Sequence, residues 1–172
     1  GMRLWSEEKR SGSIELLLTL PISTTSAVLA KFFAAWAFIA ISLTLTISLA
    51  FTTGYLGNPD WGIILSGYFG SLLMAAAYLS ISSVCSALTK NQVIAFVISV
   101  LICLMATLFG SQVLLTLLDG VASPAMLDFL GNFSFQSHFE TMTRGLIELS
   151  AISFFLTLTV ACLAINVIVL EK

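Results

Sequence analysis

Charge is what this chain has least of. Asp, Glu, Lys and Arg together make up 9% of its 172 residues, against about 25% in water-soluble domains. With a mean hydropathy of +1.04, that deficit argues against a water-soluble fold. Histidine occurs once, at His138, and its placement supports no argument for a Ser-His-Asp arrangement. No Cys/His/Asp/Glu group has the spacing of a metal site, and none is expected. A Gly-x-x-x-x-Gly-Lys-Ser/Thr run is missing, so the chain cannot cradle a nucleotide phosphate in a P-loop. No enzyme activity and no cofactor of its own are expected. The three cysteines, Cys85, Cys103 and Cys162, are odd in number and lie in or beside apolar runs, where they read as small packing residues. No stretch alternates with period 2, which removes support for a membrane barrel. The polar opening and the long first apolar run do not fit a cleavable signal peptide.

What is abundant is apolar sequence, 58% of the chain. Four runs reach the roughly 20 residues needed to cross a hydrocarbon core: Val28–Phe51, Ile63–Ala87, Val93–Leu118 and Ala151–Leu170. The expected fold is an all-α integral membrane protein. Residues 1–27 form a cytoplasmic segment with a short helix, and residues 28–172 a domain of four transmembrane helices. The basic residues set the orientation. With the N-terminal segment inside, Arg3, Lys9, Arg10, Lys31, Lys90 and Lys172 fall inside, and Arg144 alone falls outside with Asp60, Asp119, Asp128 and Glu140. Both termini are therefore expected in the cytoplasm.

The first 27 residues hold a charged cluster, Glu7, Glu8, Lys9 and Arg10, then a Ser-Gly-Ser turn, then a leucine-rich helix. Ser13 can cap that helix, Glu15 suits the positive end of its dipole, and Pro21 ends it. About eight residues at 1.5 Å each give roughly 12 Å of helix outside the bilayer. Ser23 can cap the first span, and Lys31 can snorkel to the headgroups. In that span Thr44, Ser48 and Thr52 form an i, i+4 stripe, and Ser42 and Thr46 begin another. The hydroxyls either bond the preceding turn's carbonyls or line a pathway. GNPDWG at residues 57–62 is a turn, with Tyr55 and Trp61 at an interfacial belt. Gly67, Ser71 and Ala75, beside Ser66 and Gly70, offer a small-residue face for close packing.

Residues 119–148 are too polar to span and too apolar for an ordinary loop, and read as short re-entrant helices in the outer leaflet. One covers Pro124–Leu130. Another is opened by the capping-box pair Ser137 and Glu140. It would put Phe139, Met142 and Leu146 on one side and Glu140, Arg144 and Glu148 on another. His138 reads as a polar residue at the start of this helix rather than a base or ligand. The middles of all four spans lack Asp, Glu, Lys and Arg, which argues against a carrier driven by protons or sodium. Energy for any transport must come from elsewhere.

The stretch MRLWSEEKRSGSIELLLTLPIS (Met2–Ser23) resembles a cytoplasmic loop of ABC-2 type transporter permeases, in particular the gliding-motility-like branch. There a motif of the form MRL-x-x-EE-x-x-x-G-S/T-x-E-L-L-x-T-x-P precedes the third membrane helix. Further matches are Lys31-Phe32, Asp60-Trp61-Gly62, Tyr68-Phe69-Gly70, Ser86–Val93, Ser137-His138-Phe139 and Arg144-Gly145. The resemblance spans almost the whole chain, with Ser13 where Thr is usual. It implies two membrane helices ahead of the motif, so that this chain holds spans three to six of six. It also implies a permease subunit of an ATP-binding-cassette transporter in the bacterial cytoplasmic (inner) membrane. That subunit would pair with a second copy or related permease and with two ATPase subunits, which supply ATP and Mg chemistry, and not with nucleic acid. Glu7, Glu8, Arg10, Ser13, Glu15 and Leu17 would meet the ATPase on a coupling helix. His138, Glu140, Arg144 and Glu148 would form an outer gate, and Thr44, Ser48 and Thr52 would line the pathway. A substrate cannot be read from fold or motif. The competing expectation is a membrane anchor or scaffold for an ATPase assembly that moves nothing itself.

Overall fold

The computed structural model describes residues 1, 3–13, 22–108, 111 and 134–171. Every regular element among them is helical. In chain order these are α1 (Ser6–Ser11), α2 (Thr24–Leu45), α3 (Ile47–Leu56), α4 (Trp61–Leu88), α5 (Gln92–Leu108), α6 (Phe135–Thr143) and α7 (Leu149–Leu170). The helix expected to start at Ser13, with Glu15, Leu17 and Pro21, and the one expected over Pro124–Leu130 lie outside the described residues.

Helices α2, α4 and α5 begin where side chains can accept the free N–H groups of a first turn. Ser23 Oγ accepts from Ser26 N at 3.3 Å, as expected for that cap. Asp60 Oδ1 accepts from Gly62 N at 2.9 Å and opens α4. Asn91 Oδ1 accepts from Val93 N at 3.0 Å at the start of α5.

The first apolar run is longer than expected and is not one uninterrupted helix. It extends from Thr24 to Leu56, 33 residues, with a step at Thr46. There the hydroxyl donates to Leu43 O at 2.7 Å and lies 3.0 Å from Tyr68 Oη of α4. Its N–H also bonds Leu43 O, at 3.1 Å. A hydroxyl and an amide drawn to the same carbonyl tighten one turn, and α3 restarts beyond it.

Among the described residues three helices are long and apolar enough to cross a membrane: Thr24–Leu56, Trp61–Leu88 and Leu149–Leu170. The third expected run, Val93–Leu118, is described as far as Leu108, a helix of 17 residues.

Helix α4 is the axis of the bundle, packing against α1, α2, α5, α6 and α7. Half of its most apolar window is buried, against 6% for the α2–α3 run and 17% for α7. Two apolar clusters stack along it. One gathers Trp5, Val28, Phe32, Leu79, Ala87 and Leu170 at the end where α1 sits. The other gathers Ala77, Ile81, Cys85, Phe135 and Phe155 around α6 and α7.

Candidate functional site

The charged N-terminal cluster is itself a helix, which its sequence did not announce. Helix α1 is six residues long and ends at Gly12, whose φ of 74° favours a residue without Cβ. Six residues cannot hold a helix alone, so the fixing is tertiary. Trp5 is 1% exposed within the first cluster. Ser86 Oγ, on the last turn of α4, accepts from Trp5 N at 3.1 Å and Ser6 N at 3.0 Å. The Lys9 ammonium donates to Ala87 O, bringing a cation to the negative end of α4.

Lys31 of α2 turns toward α1 rather than simply reaching for headgroups. It pairs with Glu8, donates to Leu4 O at 2.8 Å and lies 4.0 Å from the centroid of the Trp5 ring. The two glutamates expected to act alike therefore differ. Glu7 is exposed and Glu8 is half-buried on Lys31. Arg10 is exposed, and Ser13 Oγ lies 2.8 Å from Ser11 Oγ. Lys9, Lys31 and Lys90 meet at this end of the bundle, with Arg3 and Arg10 on the segment bound to it.

At the opposite end α6 packs on the first half of α4. Its start differs from the expected one. Ser134 is the cap, its Oγ accepting from Ser137 N at 3.0 Å. The earlier start carries Phe135 into the core, where it is 2% exposed and stacked on Tyr78 at 5.2 Å. The ladder Glu140–Arg144–Glu148 is not formed as one row. Gly145, with φ of 85°, ends the helix before Glu148. The Glu140–Arg144 pair spans 4.0 Å and is largely exposed, while Gln136 Nε2 donates to Glu140 at 3.2 Å. Glu148 instead precedes α7 and accepts from Ser150 Oγ at 3.0 Å. Met142 is buried, and Leu146 is 59% exposed.

Of the small residues expected to pack closely on α4, Ser66 and Gly70 are buried. Gly67, Ser71 and Ala75 are half-buried, and open space surrounds Gly67. His138 is half-buried against Phe154, ring centroids 4.6 Å apart. With Ser150, Ser153, Thr157 and Ala161 of α7 it lines an open groove of about 520 Å³. That hydroxyl row on α7 was not singled out in the sequence, although its i, i+3, i+7 spacing was there to read.

Thr44, Ser48 and Thr52 face outward and are exposed. Their hydroxyls donate to Ala40 O, Leu45 O and Leu49 O at 2.8, 3.2 and 2.7 Å. Within a single copy of the chain they satisfy their own helix.

A second polar feature was missed inside the membrane-length helices. Asn166, 0% exposed on α7, donates its amide N–H to Ser83 of α4. An asparagine in an otherwise apolar run was the available signal, since such a group needs a partner in hydrocarbon. Beside it an apolar cavity of about 730 Å³ opens between α4, α5 and α7, lined by Val84, Cys85, Ile102, Met105 and Leu158 among others.

Membrane-length apolar helices around a buried central helix, with charged short helices at the two ends, define a helical membrane protein. Residues 1–170 match the family described as ABC-2 family transporter protein. The chain belongs to that family, whose members provide the permease of ATP-binding-cassette transporters. No curated protein and no solved structure matches it.

Proposed function

We propose that this chain couples ATP hydrolysis by separate ATPase subunits to movement of a substrate across the bacterial cytoplasmic membrane. On this reading it works beside a second permease copy or a related permease. It has four spans, α5 belonging to the third of the expected apolar runs, and both termini lie in the cytoplasm. ATP and Mg belong to the partner, and the chain itself carries out no hydrolysis. Helix α6 dips into the outer leaflet as part of a gate with His138 and Arg144.

The observation that carries the reading is the seating of α1. A charged helix rests on the ends of α4 and α2 through Ser86, Ala87 and Lys31. A push on it reaches both helices directly. Glu7 and Arg10 remain exposed beside it for a partner's surface, where charge complementarity sets binding and its specificity.

Co-purification with a candidate ABC ATPase from the same organism, followed by ATP hydrolysis in proteoliposomes, tests the proposal. Wild type should bind the ATPase and stimulate its hydrolysis. Leu17→Pro should break the leucine-rich helix, at a cost of about 3 kcal/mol or more, and Glu7→Lys should reverse an exposed charge. Both should still insert and both should lose ATPase binding or stimulation. Wild-type binding and stimulation in Leu17→Pro would remove that helix as the coupling element. A bound ATPase with no transport in any lipid would favour a scaffold.

A further inference from the structure

We propose that Lys31 is a positioning residue, a releasable latch that holds α1 against the first membrane-length helix and passes its movement into the bundle. The inference rests on the permease reading for its second half only. The geometry of the latch stands alone.

Lys31 meets three different groups of one short segment. Its ammonium pairs with the Glu8 carboxylate, donates to Leu4 O and lies over the Trp5 ring. Lys31 is part of α2, and Val28 and Phe32, on the same face of that helix, belong to the cluster that encloses Trp5. Charge and apolar contact thus join the same two elements. Ser86 ties α1 to α4 by hydrogen bonds from two successive amides, but nothing else charged links α1 to α2 among the described residues. Without Lys31, only apolar contact would join this segment to α2, while hydrogen bonds would still hold it to α4.

The junction is closed without being saturated. Glu8 Oε2 and Trp5 Nε1 are both buried with no partner among the described residues. Undocking α1 would return each of them to water, so the undocked state regains hydration that the docked state gives up. An interaction of this kind holds α1 while leaving release within reach, as a moving part requires. Lysine also suits the role chemically, because a compact ammonium on a long stem can serve a carboxylate, a carbonyl and a ring together.

Limited trypsin digestion of the full-length protein reads the latch directly, because the bonds after Lys9 and Arg10 become accessible when α1 undocks. Lys31→Met should accelerate cleavage there at least fivefold, Lys31→Arg should stay near wild type, and the exposed control Glu7→Gln should not change. Glu8→Gln removes the ion pair but keeps the Leu4 and Trp5 contacts, and should give an intermediate rate. It serves as the test if Lys31→Met does not fold. In proteoliposomes with the ATPase, Lys31→Met should bind the ATPase normally yet lose most of its stimulation of ATP hydrolysis, with Lys31→Arg restoring it. Unchanged cleavage in Lys31→Met and Glu8→Gln would overturn the latch. Faster cleavage with full stimulation would overturn its transmitting role. If no version binds an ATPase, the permease reading fails while the digestion still decides the latch.

Discussion

Met142 lies so close over Gly70 that a Cβ built at position 70 would stand 2.9 Å from its sulfur and 3.1 Å from its own Cβ. The missing side chain of one helix is the seat of the other. Phe139 closes the same contact, at 3.5 Å.

Gly70→Ala is therefore expected to push α6 off α4. The Met142 sulfur can swing aside but its Cβ cannot without moving the helix. Overpacking of this kind costs about 1–3 kcal/mol, and Gly70→Leu should cost more. Thermal unfolding in detergent checks the direction. Met142→Ala in the Gly70→Ala background should recover only part of the loss, since it removes the sulfur but leaves the Cβ contact.

The outer end shows what could and could not be read in the residues. Long apolar runs announced α4 and α7 to within two residues at each end, because length in hydrocarbon leaves little choice. Ser23 was readable as a cap because it stands directly before an apolar run. The start of α6 was not, because Ser134 and Ser137 are equally good caps locally. Burial of Phe135 between Tyr78 and Phe155 decides between them. The ladder failed for a similar reason: Gly145 in a left-handed conformation stands between Arg144 and Glu148. Helix α1 carries no apolar periodicity at all. Its partners are Ser86 and Lys31, distant in sequence, and only the tertiary fold brings them together. Of the candidate site, the charged N-terminal cluster was legible as a region. The opposite fates of Glu7 and Glu8 were not.

Asn166 and Ser83 give a second expectation. Removing one partner leaves the other buried and unsatisfied, whereas replacing both with apolar groups can be nearly neutral. Asn166→Ala and Ser83→Ala should each destabilise by about 1–2 kcal/mol, in the upper range for interhelical hydrogen bonds in membranes. The pair Ser83→Ala with Asn166→Ala should cost less than the sum of the two single variants. A double-mutant cycle by unfolding in detergent measures the coupling; full additivity would remove the bond as a contributor.

The Lys9 contact gives an expectation in pH. Burial lowers the Lys9 pKa below its ordinary 10.5, and the charge of Lys90 lowers it further. A lysine whose pKa is depressed by docking opposes docking while it is charged. That opposition is full below the docked-state pKa. It fades as pH rises through that value toward 10.5 and is gone above it, where the amine is neutral in both states. The Lys9 contribution to the seating of α1 should therefore become more favourable, not less, as pH approaches 10.5 from below. Lys90→Ala should raise the Lys9 pKa and flatten the response. Side-chain NMR of a lysine-labelled sample in micelles reads the first, and acrylamide quenching of Trp5 across the same range reads the second.

Helix α4 packs against α1, α2, α5, α6 and α7, and this bears on the order of assembly at the ribosome. Trp5 and Ser6 are made about 80 residues before their acceptor, Ser86. At roughly 5–20 residues per second that is about 4–16 s of waiting. Through that interval the α2–α3 run has no α4 to lean on, and Lys31 and Glu8 can find each other before the scaffold arrives. When α4 enters, it gives α1 and α2 a common surface. Asn166 comes later still, bringing α7 to a helix whose Ser83 is already in place. The segment that carries α1 and α2 thus waits for α4, and α7 closes onto the same helix afterwards.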